Sequence, residues 1–579
     1  MRTHVAGLLG AFILSVSFLA GADAPSSRPP GAGIVAIWLN SPSLDREAIL
    51  KMPVIKDGQA VVQWAQVETE KGKYDFTALD EQLADNAKRH LPATVQLNGN
   101  LKPRYLFNEV PYVEETGKDI AAFRQVNNRE GTLMYWHPAH ERAYVNCLTA
   151  LRDHLASSRY KSNIIGLRMN FNPFGTEGIN IFPQDKAAQY ASKERWIQPP
   201  GLDRSLPYNG FDKKDGLDYV RRIMRKHVEL FSGVVPIFVR CTVDNEVLAE
   251  FAPYLEKGTF GLFETGSLFA PFATKAENQQ EWFLKYCKTG KTVGYAESYS
   301  NSWGWHSIKE DLLLSPPQAF YWRVLCDLHK GVSYIACYGS DLNMALTGAY
   351  KASARTPDGR SVDIQYSDSQ SGFDYRGQFN EALQFGDRYA GWHASPTSAP
   401  GAWIALRESD AVGNANNQRE KLKVFTGDYT FLMERLPDHS TGVTKVGPDQ
   451  IRYGGYARRL PAHESMRLKV DGRFLESLKG SCRLSVIYFD DAAGSPFTIS
   501  ARGQTWEVPM KGGKTWQTAA FDVAAPAFQP SADGAHIVIQ AADAPICLHM
   551  AAIERKIAIA AREKRFQDLS RNQAGIGPE

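Results

Sequence analysis

The chain lacks the motifs that mark several large enzyme classes. Its 579 residues contain no Gly-x-Gly-x-x-Gly turn, no Walker loop, no Gly-x-Ser-x-Gly elbow and no His-Glu-x-x-His helix. The 13 histidines show no ligand-like spacing, and none of the seven cysteines belongs to a Cys-x-x-Cys pair. We therefore predict no metal site and no cofactor. The small net charge of +3 gives no reason to expect a nucleic acid or an anionic membrane as partner.

The N-terminus predicts the compartment. Arg2 precedes an apolar run over residues 5–20, which is too short for a comfortable membrane span and ends in a small-x-small cleavage pattern. We predict a signal peptide over residues 1–22, cleaved after Ala22, and a secreted or periplasmic protein with no membrane contact after cleavage. An uncleaved N-terminal anchor is the alternative. In an oxidising compartment Cys482 and Cys547 are candidates for a disulfide, because both lie in the β-rich C-terminal part.

Short apolar runs alternate with helix-period segments through the first two thirds of the chain. Eight runs are candidate strands: residues 33–39, 60–64, 93–98, 164–170, 234–240, 259–264, 292–297 and 332–338. Eight β-α units predict a TIM barrel over residues 30–395, whereas a doubly wound sheet has less support without a glycine-rich first turn. The long segments 105–140 and 182–211 are expected to shape a groove at the barrel mouth or to cover barrel helices.

The pattern changes after residue 395. Short alternating segments separated by Gly, Asp and Pro turns predict a jelly-roll-like β-sandwich over residues 396–555. Residues 556–579 are basic and are expected to form a helical or disordered tail. The sequence therefore predicts an α/β barrel followed by an all-β domain.

Three glutamates follow apolar strands directly. In TIM barrels the reacting groups lie at the carboxyl ends of the strands, so Glu177, Glu264 and Glu297 are the best candidates for chemistry. For each of them a structural ion pair is the alternative. Glu264 either competes for a catalytic role or orients a neighbouring carboxylate or binds a hydroxyl.

One segment resembles a known family. Residues 64–76 read Trp-Ala-Gln-Val-Glu-Thr-Glu-Lys-Gly-Lys-Tyr-Asp-Phe, which resembles the strand 2 to helix 2 region of clan A glycoside hydrolases, and of their β-galactosidase-type members in particular. The resemblance implies retaining hydrolysis of a β-linked poly- or oligosaccharide, with Glu177 after strand 4 as acid/base and Glu297 at the end of strand 7 as nucleophile. Thr176 stands where the clan usually has Asn. A carbohydrate-binding barrel without catalysis is therefore the alternative.

Polar and aromatic side chains at strand ends are candidates for saccharide contacts. Sugars combine an apolar ring face, which stacks on aromatics, with hydroxyls that need donors and acceptors. The candidate binding residues are Asn98, Arg104, Asn170, Asn172, Arg240, Glu264, Tyr295, Trp303 and Trp305, and Trp38, Trp64 and Tyr338 also lie at or just beyond strand ends. Arginines facing the groove would suit a substrate that carries sulfate or uronate.

Overall fold

The computed structural model describes most of the chain between residues 28 and 556. The described residues are 28–99, 101–114, 131–171, 190–206, 208–241, 244–265, 281–297, 316–355, 361–367, 374–407, 427–443, 457–491, 493–501, 503–524 and 528–556. Glu177, Asn172, Trp303 and Trp305 lie outside them, as do the predicted signal peptide and all but the first residue of the predicted tail.

Eight parallel strands close into a barrel in simple sequence order. The strands are β1 (Gly33–Ile37), β2 (Ile55–Gln63), β3 (Ala93–Asn98), β4 (Ile164–Arg168), β5 (Ile237–Arg240), β6 (Phe260–Thr265), β7 (Gly294–Glu297) and β8 (Val332–Tyr338). Each pairs with its neighbour in the chain, and β8 pairs with β1 to close the circle. The predicted fold class is confirmed, because each predicted apolar run contains or overlaps one barrel strand.

Helices cover the outside of the barrel. The longer ones are α1 (Thr77–Lys88), α2 (Pro138–Ser157), α3 (Lys213–Phe231), α4 (Pro316–Lys330) and α5 (Tyr375–Tyr389). Shorter helices are Arg46–Leu50, Trp64–Val67, Leu106–Glu109, Asn245–Glu250, Ala252–Glu256, Gly339–Thr347 and a π-helical turn, Phe283–Cys287. The apolar faces of the helices and the outward-facing strand residues form one continuous core.

The inside of the barrel is a second, smaller core. Its aromatic members include Phe238, Phe263 and Tyr295, which stand on three neighbouring strands. Two glycines make room for Phe238: a Cβ at Gly166 would lie 2.2 Å from its ring, and one at Gly261 would lie 2.5 Å from it. Large side chains therefore fill the lumen, and the barrel is a packed body rather than a pore.

The segment that carried the family resemblance forms a local structural unit. Short strands Glu68–Glu70 and Lys73–Tyr74 pair as a hairpin directly after β2 and helix Trp64–Val67. The buried carboxylate of Glu68 accepts hydrogen bonds from the Trp64 indole (2.8 Å), the Gly72 backbone (2.9 Å) and the Tyr105 hydroxyl (2.9 Å). Gly72 takes a left-handed φ of 73° in the turn. These contacts explain the Trp, Glu and Gly of the motif as structural residues.

Two antiparallel sheets follow the barrel. One contains β9 (Gly401–Ala405), β10 (Tyr429–Phe431), β12 (Thr441–Val443), β13 (Ala457–Leu460), β15 (Ser481–Phe489), β18 (Trp516–Ala524) and β20 (Ile546–Arg555). The other contains β11 (Met433–Arg435), β14 (Ser465–Val470), β16 (Phe497–Ala501), β17 (Gln504–Val508) and β19 (Ile537–Ala541). Gly472–Glu476 is a short helix within this domain. Outside it, Tyr112–Val113 pairs with Thr132–Leu133, and Ala349–Arg355 pairs with Ser361–Ser367. Alternating buried residues face between the two sheets, as expected of a sandwich.

Helix α4 lies between the barrel and the sandwich. The Tyr321 hydroxyl is 2.9 Å from Nε2 of His549 on β20, and the backbone N–H of Thr430 on β10 donates to Nδ1 of His329 at 2.9 Å. Both histidines are buried. The same helix therefore packs against β7 and β8 on one side and against the sandwich on the other.

All seven cysteines are buried free thiols. The disulfide predicted between Cys482 and Cys547 is wrong, because Cys482 pairs across the ladder with Arg555 whereas Cys547 pairs with Phe489. The two thiols therefore lie at opposite ends of the β15–β20 pair, far beyond the reach of a disulfide. Among the described helices, none combines the length and the apolar composition that a bilayer span needs.

Candidate active site

The carboxyl ends of the eight strands meet at one mouth of the barrel. Alternate residues of each strand point into the lumen, so the last inward residues of neighbouring strands converge there. Glu297 ends β7 and pairs in register with Ala336 of β8. Asn98 ends β3, and Arg240 ends β5. The mouth therefore gathers polar side chains from strands far apart in the sequence.

Glu297 is the most elaborately held group at the mouth. Its side chain is buried, with 3% of the residue exposed. One carboxylate oxygen, Oε1, accepts hydrogen bonds from the Trp38 indole at 3.0 Å and from the Tyr338 hydroxyl at 2.9 Å. The other, Oε2, lies 2.5 Å from a guanidinium nitrogen of Arg168. Side chains from β4, from β8 and from the residue directly after β1 thus meet at one carboxylate, which fixes its orientation.

Arg168 crosses the lumen to reach Glu297. It ends β4, and only 1% of the residue is exposed. Its guanidinium carbon lies 4.1 Å from the centre of the Phe263 ring and 5.3 Å from that of Tyr295. The aromatic faces and the carboxylate together offset the cost of burying the cation. Sequence reasoning missed Arg168, although a lone cation at the end of the apolar run from Ile164 was the available signal.

Trp38 holds an unusual backbone conformation beside Glu297. Its φ is 55°, in the left-handed region that bulky residues rarely occupy. The indole stacks on the Tyr338 ring with centroids 6.5 Å apart and planes 25° apart. Backbone strain of this kind persists where surrounding contacts require it and clusters at functional sites. The conformation turns the indole N–H toward Glu297.

Tyr295 lies below Glu297 in the lumen. It is fully buried and belongs to the inner core with Phe263 and Phe238. Burial raises the pKa of the Tyr295 phenol well above its usual range, and the cation of Arg168 only partly offsets this. Tyr295 is therefore a neutral phenol in the floor beneath the carboxylate, and Tyr338 rather than Tyr295 donates to Glu297.

The remaining predicted binding residues have different placements. Asn98 is fully buried at the end of β3. The Asn170 amide nitrogen donates to the Leu97 carbonyl oxygen at 2.7 Å, so that hydrogen bond ties it to the strand beside it. The Arg240 guanidinium carbon is 5.4 Å from the centre of the Phe263 ring, inside the barrel. Arg104 is exposed in the loop after β3.

Glu264 lies on the outer face of the barrel. Phe263 points inward, so the next residue points toward α4, where Glu264 pairs with the Lys330 ammonium. Lys330 is also 3.2 Å from Asp327, which in turn is 3.1 Å from Arg323. Burial lowers the pKa of Lys330, but the carboxylates of Glu264 and Asp327 outweigh this effect. They raise the pKa above its usual range and keep the ammonium charged. The structure therefore does not bring Glu264 to Glu297 and places it in a buried ion network.

Comparison with known proteins returns solved glycoside hydrolases of low identity. No family model matches the chain, and no curated protein matches its sequence. A thermostable mutant of a xylanase from Cellvibrio japonicus is 10% identical at a TM-score of 0.33, over 61% of this chain and 97% of the xylanase. A β-galactosidase from the Antarctic haloarchaeon Halorubrum lacusprofundi is 11% identical at a TM-score of 0.35, over 62% of this chain and 58% of the β-galactosidase. A cold-adapted β-galactosidase from Rahnella sp. R3 is 13% identical at a TM-score of 0.34, over 64% of this chain and 58% of the β-galactosidase.

The role of each side chain rests on the site itself. Within the described parts of the chain, no group of three or more His, Cys, Asp or Glu side chains is placed to hold a metal ion. What the described site offers is a single buried carboxylate, fixed by Trp38, Tyr338 and Arg168, at the mouth of a closed barrel.

Proposed function

We propose that the protein is a secreted retaining glycoside hydrolase that cleaves β-linked glycosidic bonds in a poly- or oligosaccharide. The observation that carries the proposal is the Glu297 carboxylate, held by two hydrogen bonds and an ion pair at the carboxyl end of the seventh barrel strand. Few roles other than chemistry account for a carboxylate with such support at this end of a barrel. Glu297 acts as the nucleophile in this proposal.

The support around Glu297 matches what a nucleophilic carboxylate needs. Covalent catalysis requires an ionised oxygen held in one direction, so that it attacks the anomeric carbon without first reorganising. Trp38 and Tyr338 both bind Oε1, and Arg168 lies against Oε2. When the carboxylate oxygen forms the glycosyl ester its charge is lost, and the arginine and the two donors then stabilise it again as the leaving group of the second step.

Glu177 completes the proposed mechanism as acid/base. It follows strand 4 in the sequence, and the resemblance to clan A assigns it the proton transfers. It would protonate the glycosidic oxygen as the bond to the anomeric carbon breaks, and would then take a proton from the water that hydrolyses the intermediate. Two carboxyl groups about 5–5.5 Å apart are expected for this retaining reaction.

The substrate class is the broadest part of the proposal. Arg168 and Arg240 both stand inside the barrel near its mouth, and Glu297 is paired with the first. Guanidinium groups suit the binding of sulfate and carboxylate, so a saccharide that carries sulfate or uronate groups is one candidate beside the neutral polysaccharides.

The test is reducing-sugar release from neutral, sulfated and uronate-containing polysaccharides by the wild type, Glu297→Gln and Glu177→Gln. Both variants are expected to lose activity by orders of magnitude while remaining folded. Glu297→Gln should also melt at a lower temperature, because it leaves the Arg168 guanidinium buried without its carboxylate. The matched control is Glu229→Gln, on the exposed side of α3, which should cleave as well as the wild type. Binding without cleavage by the wild type would favour the carbohydrate-binding alternative, and an active Glu297→Gln would remove Glu297 from the mechanism.

Secretion is tested separately. N-terminal sequencing of the protein recovered from the medium or the periplasm should begin at Asp23, after removal of residues 1–22. A mature chain that retains residues 1–22, or one found only inside the cell, would contradict this part of the proposal.

A further inference from the structure

Three side-chain amides form a hydrogen-bonded line inside the barrel. The Gln59 amide nitrogen, on β2, donates to the side-chain oxygen of Gln96 on β3 at 3.1 Å. The Gln96 amide nitrogen in turn donates to the side-chain oxygen of Asn98, two residues further along the same strand. Gln96 and Asn98 are fully buried. We call these three residues the amide ladder.

The amide ladder is unusual for its position. Barrel interiors are filled mainly by bulky apolar side chains. The opposite side of this lumen is apolar too, with Phe238 and Phe263. Buried amides are costly unless their hydrogen-bonding groups are satisfied. Gln59 donates to Gln96 and Gln96 donates to Asn98, so each hydrogen bond is donated toward the mouth.

The last member of the amide ladder keeps one unused group. The Asn98 oxygen accepts from Gln96, so the Asn98 amide nitrogen is the atom that remains. That nitrogen is buried and has no hydrogen-bond partner among the residues that the structure describes. Asn98 ends β3, at the same end of the barrel as Glu297 on β7. A buried donor without an acceptor persists at a functional mouth when a ligand supplies the acceptor.

We propose that Gln59 and Gln96 are positioning residues that fix Asn98 as a dedicated hydrogen-bond donor to an acceptor oxygen of the bound saccharide. This inference rests on the proposed function, because it takes a saccharide as the ligand. An asparagine side chain by itself can turn over and present either its oxygen or its nitrogen. Here a turned Asn98 would point its N–H groups at the Gln96 N–H, and two donors would face each other. The amide ladder therefore selects one orientation before the ligand arrives.

The ladder gives the site a defined preference. A saccharide that offers an oxygen lone pair at this position gains a hydrogen bond, whereas an analogue that lacks the oxygen leaves the Asn98 nitrogen buried and unpaired. Sites built to bind a particular polar group reject analogues without it strongly. Either a ring hydroxyl or a uronate carboxylate can provide the acceptor, and matched neutral and uronate substrates distinguish the two.

The test reverses the ladder with Gln96→Glu. A carboxylate at this position can still accept from Gln59, but it cannot donate, so Asn98 is expected to turn and present its oxygen to the ligand. The matched control is Gln96→Met, which has a similar length and removes the hydrogen bonds without imposing the opposite orientation. We expect the KM of Gln96→Glu to rise by about 10- to 100-fold, the effect of one mismatched buried polar group. The KM of Gln96→Met should rise less. In both variants kcat should change less than KM.

A second variant keeps the inference testable if Gln96→Glu does not fold. Asn98→Asp retains the shape of the side chain and replaces the donor with an acceptor, so its KM should rise to a similar extent. The KM values of the wild type and of Asn98→Asp are then compared on saccharides that each lack one hydroxyl and on uronates reduced to the neutral sugar. The acceptor is the group whose removal raises the KM of the wild type but not that of Asn98→Asp.

The outcomes separate the two proposals. A wild-type protein that cleaves saccharides, with KM values unchanged in Gln96→Glu and Asn98→Asp, would overturn the amide ladder's role alone. Folded wild-type protein that neither cleaves nor binds any saccharide of the panel would overturn the proposed function and this inference with it.

Discussion

The guanidinium of Arg168 lies 2.5 Å from the carboxylate of Glu297, although β5 and β6 separate their strands in the closed barrel. The arginine reaches across the lumen over the faces of Phe263 and Tyr295, at 4.1 Å and 5.3 Å from the ring centres. The pair is almost completely buried. Its geometry links the inner core of the barrel to the carboxylate at the mouth, and the predictions about activity depend on it.

Replacing Arg168 is expected to impair both activity and folding. Arg168→Met leaves the Glu297 carboxylate buried without its cation, and breaking a buried pair in this way costs about 3–5 kcal/mol of stability. The loss of transition-state charge stabilisation should lower kcat/KM by about 10²–10³-fold.

Arg168→Lys is the matched control for charge. It keeps the cation but loses the planar group that lies over Phe263, so its activity should fall between the wild type and Arg168→Met. Saccharide cleavage and urea denaturation check both variants. A wild-type kcat/KM in folded Arg168→Met would contradict the assigned role.

The Glu264 network is expected to govern stability rather than catalysis. Lys330→Met leaves Glu264 without its cation in a buried site, which should lower the free energy of unfolding by about 3–5 kcal/mol. The double variant Glu264→Gln/Lys330→Met should be more stable than Lys330→Met alone, because the uncompensated carboxylate is gone. Urea denaturation of the single and double variants measures the coupling. Loss of saccharide cleavage by orders of magnitude in a normally stable Glu264→Gln would place Glu264 in the reaction instead.

His393 is expected to make the protein less stable in acid. Burial lowers the pKa of His393 to about 3, with a smaller effect from Lys288, whereas an unfolded histidine titrates near about 6.5. Between these values the unfolded chain binds a proton that the folded chain does not. The free energy of unfolding therefore falls as the pH decreases from about 6.5 to 3, by up to about 1.4 kcal/mol per pH unit for this one group.

The variant that isolates this effect is His393→Gln. Denaturation at several pH values should give a shallower loss of stability in acid than the wild type shows, whatever the absolute stability of the variant. His439→Gln, at a side chain that is 77% exposed, is the control for replacing a histidine at a surface site. Equal slopes for His393→Gln and the wild type would contradict the assignment.

The cysteines are expected to remain reduced. All seven are buried and free, and Cys482 and Cys547 are held at opposite ends of their strand pair. A thiol reagent should find almost none accessible in the native protein and seven after denaturation without reductant. Dithiothreitol should not change the melting temperature. Fewer than seven thiols in the denatured, unreduced protein would reveal a disulfide that contradicts these contacts.

The sequence was sufficient for the barrel, because buried parallel strands read as apolar runs and eight of them alternate with helices. It also placed Glu297 at a strand end. It could not show which face of β6 carries Glu264, since both faces of a barrel strand are buried and carry similar residues. Phe263 points inward in the structure. Because successive side chains of a strand point to opposite faces, Glu264 points outward to Lys330.

The contacts of Glu297 were beyond sequence reasoning for a different reason. Trp38 is 259 residues away and Tyr338 is 41 residues away, on β8, and only closure of the barrel brings them together. The contact of Trp38 also requires a left-handed backbone conformation, which no local sequence pattern predicts for tryptophan. The amide ladder has the same origin, because Gln59 and Gln96 meet through the pairing of β2 with β3.

The most direct test of the central claim is to trap the glycosyl-enzyme. The protein is incubated with activated 2-deoxy-2-fluoro glycosides of the sugars it cleaves, which slow hydrolysis of the intermediate, and the labelled peptide is identified by mass spectrometry. A retaining mechanism through Glu297 predicts one added glycosyl group, ester-linked to Glu297, and no label in Glu297→Gln. A label on another residue, or cleavage with inversion at the anomeric carbon and no labelled peptide, would contradict it.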